Sequence, residues 1–445
     1  MTNTKHDQPV TIIGGGLAGS EAAWQLARRN IRVRLYEMRP TRYSPAHSSD
    51  GLAELVCSNS LRSSDLFSAV GLLKEEMRHL DSLVMKAADH TAVPAGKALA
   101  VNRDDFSAMI TETLERCDEI EIIREEITSV PEEDTGYTII ATGPLTSDLL
   151  AESLTRITGG ERLFFYDAIA PIIHADSLNR DIIYQKSRYD DGPGDYLNCP
   201  MDREQYLAFI NGIKQAPKVP LKDFEDEKYF EGCLPVEVMI SRGDDTLRYG
   251  PMKPVGLADP RTGRDPYGVV QLRMENRAGT LYNMVGFQTK LTHGAQKEIF
   301  RTIPGMENCE FARLGSIHRN TFLCAPELLL PTLQLKARSQ LFIAGQLSGV
   351  EGYVESSSMG ILAGLNCALL MEGSKPLIPP PATALGALIN HLTATSSKHF
   401  QPSNVNFGLF PPWEKKVPKR MRGQKRAETA LDQLRQWQMA NNIQL

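Results

Sequence analysis

The segment that most limits what this chain can fold into is its beginning. Val10-Thr-Ile-Ile-Gly14-Gly15-Gly16-Leu17-Ala18-Gly19-Ser20-Glu21 leads from a short apolar run through Gly14-x-Gly16-x-x-Gly19 into a stretch of small residues with helical character. The next apolar run closes on Arg34-Leu-Tyr-Glu37, the spacing at which a dinucleotide fold places an acid. Each glycine has a steric reason. Gly14 permits a tight turn, Gly16 lets the backbone approach a pyrophosphate, and Gly19 lets helix and strand pack closely. The helix that follows presents free N–H groups and the positive end of its dipole. Gly14, Gly15, Gly16, Leu17, Ala18 and Gly19 are therefore expected to cradle a dinucleotide, with Glu37 accepting hydrogen bonds from its ribose.

Two later segments bear on which dinucleotide. Thr135-Gly-Tyr-Thr-Ile-Ile-Ala141-Thr142-Gly143-Pro144 reads as a strand ending in a turn too small to block a ligand. Gln340-Leu-Phe-Ile-Ala-Gly345-Gln346-Leu-Ser-Gly349-Val-Glu351-Gly352-Tyr353 supplies a further strand and glycine loop. The helix beginning near Glu355 then has a use that an NAD enzyme lacks: its N-terminus can face a flavin ring and stabilise the anionic reduced form. FAD is favoured over NAD, with Thr142, Gly143, Gly345 and Gln346 as further contacts.

Between these halves, from about Phe164 to Cys324, the alternation of helix and strand gives way to Tyr-, Pro- and Gly-rich sequence, including Tyr249-Gly-Pro-Met-Lys253-Pro254-Val-Gly256. The expected architecture is α/β: a Rossmann-like FAD-binding domain of glutathione-reductase type, interrupted by an inserted α+β domain. The divisions fall at 1–165, 166–324 and 325–445. Residues 66–90 carry helical periodicity through Leu66, Val70, Leu73, Met77 and Leu80. Pro40–Ser64 is polar and irregular.

Composition narrows the class. With 445 residues and a formal net charge of −5, the chain is not one that coats nucleic acid with its whole surface. The seven cysteines form no CxxC pair, which disfavours a disulfide framework, a zinc site or a dithiol centre, and no metal is expected. No run reaches transmembrane length by eye and no signal peptide is visible, so a cytoplasmic location is expected. Basic residues concentrate between Glu414 and Arg426, where Lys415, Lys416, Lys419, Arg420, Arg422, Lys425 and Arg426 stand against one acid. Such a run is either a solvated helix start or a surface for phosphates.

Several motifs resemble one family. Glu54-Leu-Val-Cys57-Ser58-Asn59-Ser-Leu-Arg62-Ser63, Tyr249 to Leu257, His318-Arg-Asn-Thr321, Gly349 to Ser356 and Phe400-Gln-Pro-Ser-Asn-Val-Asn-Phe-Gly408 occur in the order found in the folate- and FAD-dependent tRNA (uracil-5-)-methyltransferases, relatives of the GidA flavoproteins. The resemblance spans about residues 9–426. It implies methylenetetrahydrofolate as one-carbon donor, NAD(P)H as reductant, and C5 of uridine 54 in the tRNA T-loop as acceptor. It also implies Cys233 as the nucleophile adding to uracil C6, and Cys57 near the flavin as base or shielding group. A thiolate at C6 makes C5 nucleophilic enough to attack an electrophilic carbon, which explains why thiol and flavin belong together. Lys253, His318 and Arg319 suit folate or RNA contacts, and Glu351 and Glu355 lie by the flavin or cap its helix. The family's Gly-Glu-Gln is Gly294-Ala295-Gln296 here, so that segment is given no role. The same chemistry on a ribosomal RNA uridine, or an FAD-bearing RNA-binding protein without catalysis, remain the alternatives. The expected assembly is a monomer or weak oligomer, with no membrane partner.

Overall fold

A computed structural model describes residues 8–159, 163–188, 192, 194–220, 229, 234–413 and 416–443. Strand β1 (Val10–Ile13) is almost wholly buried, an apolar run suited to a parallel sheet covered on both faces. β2 (Val33–Tyr36) lies parallel on one side, with Val10 opposite Val33, and β3 (Thr138–Ile140) on the other, with Ile13 opposite Ile140. β8 (Arg338–Ile343), from the far end of the chain, pairs parallel with β3 and sets Ile343 opposite Ile140. Ile120–Ile123 and Gln334–Leu335 complete the edges of this six-stranded sheet.

Two helices cover the sheet where the glycine loops end. α1 (Leu17–Ala27) and α7 (Tyr353–Met371) touch along small residues: a Cβ at Gly360 would lie 2.2 Å from the Ala18 carbonyl oxygen, and one at Gly364 would lie 2.8 Å from that of Ala22. Only glycine allows so close an approach. Among the described helices α7 is long and apolar enough to cross a membrane, which corrects the expectation that no run reaches that length. Yet 89% of that stretch is buried inside the protein, where a core helix belongs.

The periodic run at 66–90 is two helices rather than one. α2 (Ala69–His79) and α3 (Leu83–His90) are separated at Asp81, whose backbone takes φ 58°. The break has a cause outside the run. Glu21, buried in α1, accepts the N–H groups of Leu83 and Val84 at 3.2 and 2.9 Å, while Ser82 caps Met85. A second buried carboxylate, Glu76, does the same for α8 (Ala384–Ala394) through the N–H groups of Ala384 and Leu385. α4 (Arg103–Glu115) follows a small antiparallel sheet made from Ser60–Ser63, Ala98–Val101 and Ala92–Val93.

A two-stranded ribbon, β4 (Leu163–Ala168) against β7 (Ile317–Phe322), connects this body to a second. There an antiparallel sheet runs in the order Tyr184–Gln185, Tyr196–Met201, β5 (Gly268–Met274), Leu281–Met284, Ile172–His174 and β6 (Phe311–Arg313). Ile173, Phe209, Ile210, Val270, Phe287 and Phe300 form its core, distinct from the core around the parallel sheet. Two short helices, α5 (Val236–Ser241) and α6 (Thr246–Tyr249), pack on each other at its surface. The chain ends in α9 (Arg422–Ala440), whose Gln438 donates to the His79 carbonyl at the end of α2. A parallel sheet assembled from both ends of the chain around an inserted α+β body is the expected architecture.

Candidate cofactor and catalytic site

The turns after β1, β3 and β8 converge at one edge of the parallel sheet, the carboxyl end at which such sheets hold ligands. At the first turn Gly14 has φ 102°, and a Cβ there would lie 2.7 Å from the Ala141 carbonyl oxygen; a Cβ at Gly19 would lie 1.8 Å from that of Gly14. Gly16 differs, because a Cβ would meet no protein atom within 4 Å. The same holds at Gly143, with φ 68°. Gly14 and Gly19 are thus demanded by the fold, whereas Gly16 and Gly143 border open space. Leu17, Ala18 and Gly19 begin α1, and their N–H groups have no intrahelical acceptor. Thr142 is bonded through its hydroxyl to Thr146 at 2.6 Å, and Gly345 (φ 72°) sits against Ala18. Gln346 donates to Glu351 at 2.8 Å, so its amide is turned to that carboxylate.

Glu37 is buried beside the first turn. One carboxylate oxygen accepts the Gly15 N–H at 2.9 Å, and the other accepts Arg39 Nε at 2.9 Å and its backbone N–H at 3.1 Å. Burial opposes ionisation of Glu37, but the Arg39 guanidinium and these two N–H groups outweigh it and hold the carboxyl below its usual range. A carboxylate offers about four acceptor positions. Glu37 therefore retains room for about one ribose hydroxyl, fewer than the sequence suggests. Arg39 itself is 1% exposed and also pairs with Glu54 at 2.9 Å. His47, on Ser44 at 2.6 Å, is pushed down to about 4 by burial and then by the Arg39 charge. Partnerless N–H groups, open space over two glycines and one spare acceptor on Glu37 fit a dinucleotide.

Cys57 is half-buried, its thiol 3.9 Å from the Ala168 carbonyl. Its loop is locked from several elements. The Tyr353 hydroxyl, at the first residue of α7, accepts the N–H groups of Cys57 and Ser58 at 2.7 and 3.2 Å. Arg103 of α4 donates to the Leu55 carbonyl, and Arg313 of β6 donates to that of Val56. Arg273 of β5 donates to Ser58 and Asn59 at 2.7 and 3.0 Å. Glu275 is the carboxylate among these guanidiniums; it pairs with Arg103 at 3.0 Å and keeps its second oxygen buried without a partner. Burial drives the Tyr353 phenol well above its usual range, so that it remains protonated.

At the start of α7, Glu355 accepts the Val405 N–H at 2.8 Å and pairs with Arg62, whose backbone has φ 62°. Its other oxygen is buried, unpartnered, and lies where a Cβ on Gly352 would meet it at 2.5 Å. An orphaned acceptor beside a helix N-terminus suits a ligand that brings its own N–H.

The structure thus brings Gly14–Gly19, Glu37, Thr142, Gly143, Gly345 and Gln346 to the carboxyl edge of the sheet, and ties the Cys57 loop to Tyr353, which follows the last glycine loop. Cys233 lies outside the described residues, as do Glu414 and Lys415, and nothing is described of the Arg319 side chain. His318 is bonded to Ser316 at 2.9 Å, and Lys253 is exposed on its loop. Arg426 leaves the basic run: it is buried, stacked 3.9 Å from the Trp413 ring, with its guanidinium on the Pro411 carbonyl. Lys416, Lys419, Arg420, Arg422 and Lys425 stay exposed. Sequence reasoning assigned no part to Arg39, Arg103, Arg273, Arg313 or Glu275. Arg62 and Tyr353 stood inside recognised motifs, which was a signal; Arg103 opens an ordinary helix and carried none.

A family model described as "Glucose inhibited division protein A" matches residues 9–375. The chain is 67% identical over 428 residues to the methylenetetrahydrofolate--tRNA-(uracil-5-)-methyltransferase TrmFO of Desulfotalea psychrophila, covering 96% of each chain. It is 60% identical to the protein of the same name from Geobacter sulfurreducens and 56% identical to that from Bacillus cereus, in both cases over 96% of this chain and 98% of the relative. Among solved structures it resembles Aquifex aeolicus GidA, with a TM-score of 0.72 at 16% identity, covering 99% of this chain and 77% of that one. Glycine-built cradle, inserted body and relatedness along nearly the whole length agree: the chain belongs to the glucose inhibited division protein A family, and within it to the group of the TrmFO methyltransferases.

Proposed function

We propose that the protein transfers a one-carbon unit from 5,10-methylenetetrahydrofolate to C5 of a uridine in tRNA, uridine 54 of the T-loop, with FAD bound and NAD(P)H as reductant. The observation that carries this reading is the lock between Cys57 and Tyr353. The backbone N–H of a cysteine is held by the hydroxyl of the first residue of α7, the helix that follows the last glycine loop. The relatives sharing the whole chain bear the name of this activity.

The start of α1 with Gly14–Gly19 and Glu37 would hold the adenosine diphosphate half of FAD, and Thr142, Gly143, Gly345, Gln346 and α7 the remainder. When bound, the flavin supplies electron transfer and a carrier for the one-carbon unit. The thiols have separate work. Cys233, as its thiolate, adds to uracil C6 and forms a C–S bond, which makes C5 nucleophilic. Once C5 has formed its new carbon bond, its proton must leave before the C–S bond breaks and Cys233 departs as thiolate. The transferred methylene then parts from its carrier and gains a hydride, whose electrons come from NAD(P)H, to become the methyl group. Cys57 takes that proton; Tyr353 keeps its loop from moving. The division at 1–165, 166–324 and 325–445 belongs to the same proposal, as does action in the cytoplasm, where tRNA is found.

The test is to incubate the purified protein with methylenetetrahydrofolate, reduced nicotinamide and either unmodified tRNA or ribosomal RNA, then to map 5-methyluridine. Methylation at uridine 54 of tRNA is the expected product; product only in ribosomal RNA, or none, overturns the proposal. Cys57→Ala should lower turnover at least a hundredfold, the usual scale for a lost acid–base group, while flavin absorbance shows whether the cofactor is retained.

A further inference from the structure

His47 has a place in the cofactor cradle that no sequence motif assigned to it. It is half-buried in the loop after β2 and lines the same cavity as Gly14, Gly16, Glu37 and Thr142. A chain of bonds ties this loop to the glycine turn. Glu37, which holds the Gly15 N–H, accepts from Arg39, and Arg39 pairs in turn with Glu54 at 2.9 Å. Glu54 then accepts the N–H groups of Ser48 and Ser49, directly after His47, at 3.0 and 3.1 Å. Arg39 also donates to the Ser49 carbonyl, and Arg124 donates to that of Asp50. The histidine is thereby fixed to the turn with which it shares the cavity.

The ring itself is held by one edge. Its Nδ1 lies 2.6 Å from the hydroxyl oxygen of Ser44, which also accepts the Ala46 N–H at 3.3 Å. Ser44 is buried and its hydroxyl has no other acceptor among the described residues, so its hydrogen goes to Nδ1. Burial, and then the Arg39 charge, keep the imidazole neutral by pushing it down to about 4. A neutral ring that accepts at Nδ1 carries its own hydrogen on Nε2. Nε2 has no partner among the described residues. Glu37 and Glu54 accept from Arg39 and from backbone N–H groups, and neither accepts from His47. A donor left over at the wall of a cavity suits an acceptor inside it.

We propose that His47 is a cofactor-binding residue, its Nε2–H donating to an oxygen of the ribose–pyrophosphate segment of FAD. This rests on the FAD reading above and adds a donor to that site. Gly16 and Glu37 stand where such folds meet the pyrophosphate and the ribose, so oxygens of that segment are the acceptors at this wall. The glycine turn supplies backbone donors and Glu37 an acceptor. His47 adds a neutral side-chain donor, and Ser44 sets which nitrogen offers the hydrogen.

The test uses the full chain with its flavin and compares wild type with His47→Ala, His47→Gln and His47→Asn. Diluting each holoenzyme and reading the fluorescence of released cofactor gives the Kd for FAD; displacement by ADP gives the affinity for the half without flavin. His47→Ala should weaken FAD and ADP by the same factor, about tenfold, with the visible spectrum of the bound flavin unmoved. Gln places an amide N–H near where Nε2 stood and should stay within about threefold of wild type. Asn replaces only the Nδ1 edge and should lose as much as Ala. Wild-type affinity in His47→Ala overturns the proposal. Rescue by Asn and not by Gln also overturns it, because the ring would then act only through Ser44, and so does a loss for FAD with ADP unaffected. Should His47→Ala not fold, the contrast between Gln and Asn decides. Wild type that takes up neither FAD nor ADP defeats the underlying cofactor reading instead, and the two failures are thereby separate.

Discussion

Gly16 and Gly19 occupy one motif for different reasons, and substitution can tell them apart. Gly16 has ordinary backbone angles, φ −75° and ψ −170°, and empty space beside it. Gly19 has the Gly14 carbonyl 1.8 Å from where a Cβ would stand. Gly16→Ala should therefore leave the flavin-free protein's melting temperature unchanged and abolish yellow, flavin-bound material. Gly19→Ala should damage the fold itself, by an overpacking cost of about 1–3 kcal/mol or more. Melting curves of flavin-free protein, read beside absorbance of the protein as purified, check both. A Gly16→Ala variant that retains flavin would remove that turn from the cofactor site.

At the scale of elements, two helices depend on carboxylates buried elsewhere, and this makes stability respond to pH. Burial first of all raises Glu21 from 4.5 to about 7 and Glu76 from 4.5 to about 8. Between those limits the folded chain holds more protons than the unfolded chain. Their contribution is complete below about pH 4.5 and is lost as pH rises through 7 and 8, at most about 1.4 kcal/mol per pH unit for each group. Lys74 has the opposite sense. Buried and donating to the Leu61 carbonyl at 2.9 Å, it is lowered from 10.5 to about 7 by burial and then by the charges of Arg62 and Arg78. Its contribution is present above 10.5 and is lost as pH falls through 7. The Glu21→Gln, Glu76→Gln double variant should show a more positive slope of unfolding free energy against pH from 5 to 8 than wild type, because His47 and Lys74, whose effect has the opposite sign, remain. An unchanged slope in denaturant titrations would refute the assignment.

For the whole molecule, the question is how an acidic chain holds a polyanion. Lys416, Lys419 and Arg420 are exposed ahead of α9, while Arg426 is withdrawn into the Trp413 stack. Neutralising the three exposed residues should weaken tRNA binding and lower the slope of log Kd against log salt by about 1 for each phosphate left without its cation. Neutralising Arg426 should lower stability instead. Binding that keeps its salt dependence in the triple variant would return the run to ordinary solvated surface.

Much of this was legible in the chain, and the limit has a physical basis. Gly14–Gly19 with Glu37, and the returning strands at Thr138 and Leu341, declare themselves because a tight turn, a close backbone approach and an unbroken apolar strand are local demands that few residues meet. The sequence by itself therefore determined a dinucleotide cradle built from both ends of the chain around an insertion. Tertiary structure alone decided the rest. The helical run at 66–90 breaks because a glutamate from α1 reaches its middle, which no local pattern encodes. The loop of Cys57 is held by Arg103, Arg273, Arg313 and Tyr353, drawn from four elements far apart in sequence. The three arginines are ordinary residues in their own segments, and only the tertiary fold gathers their charges and the Tyr353 hydroxyl around one loop.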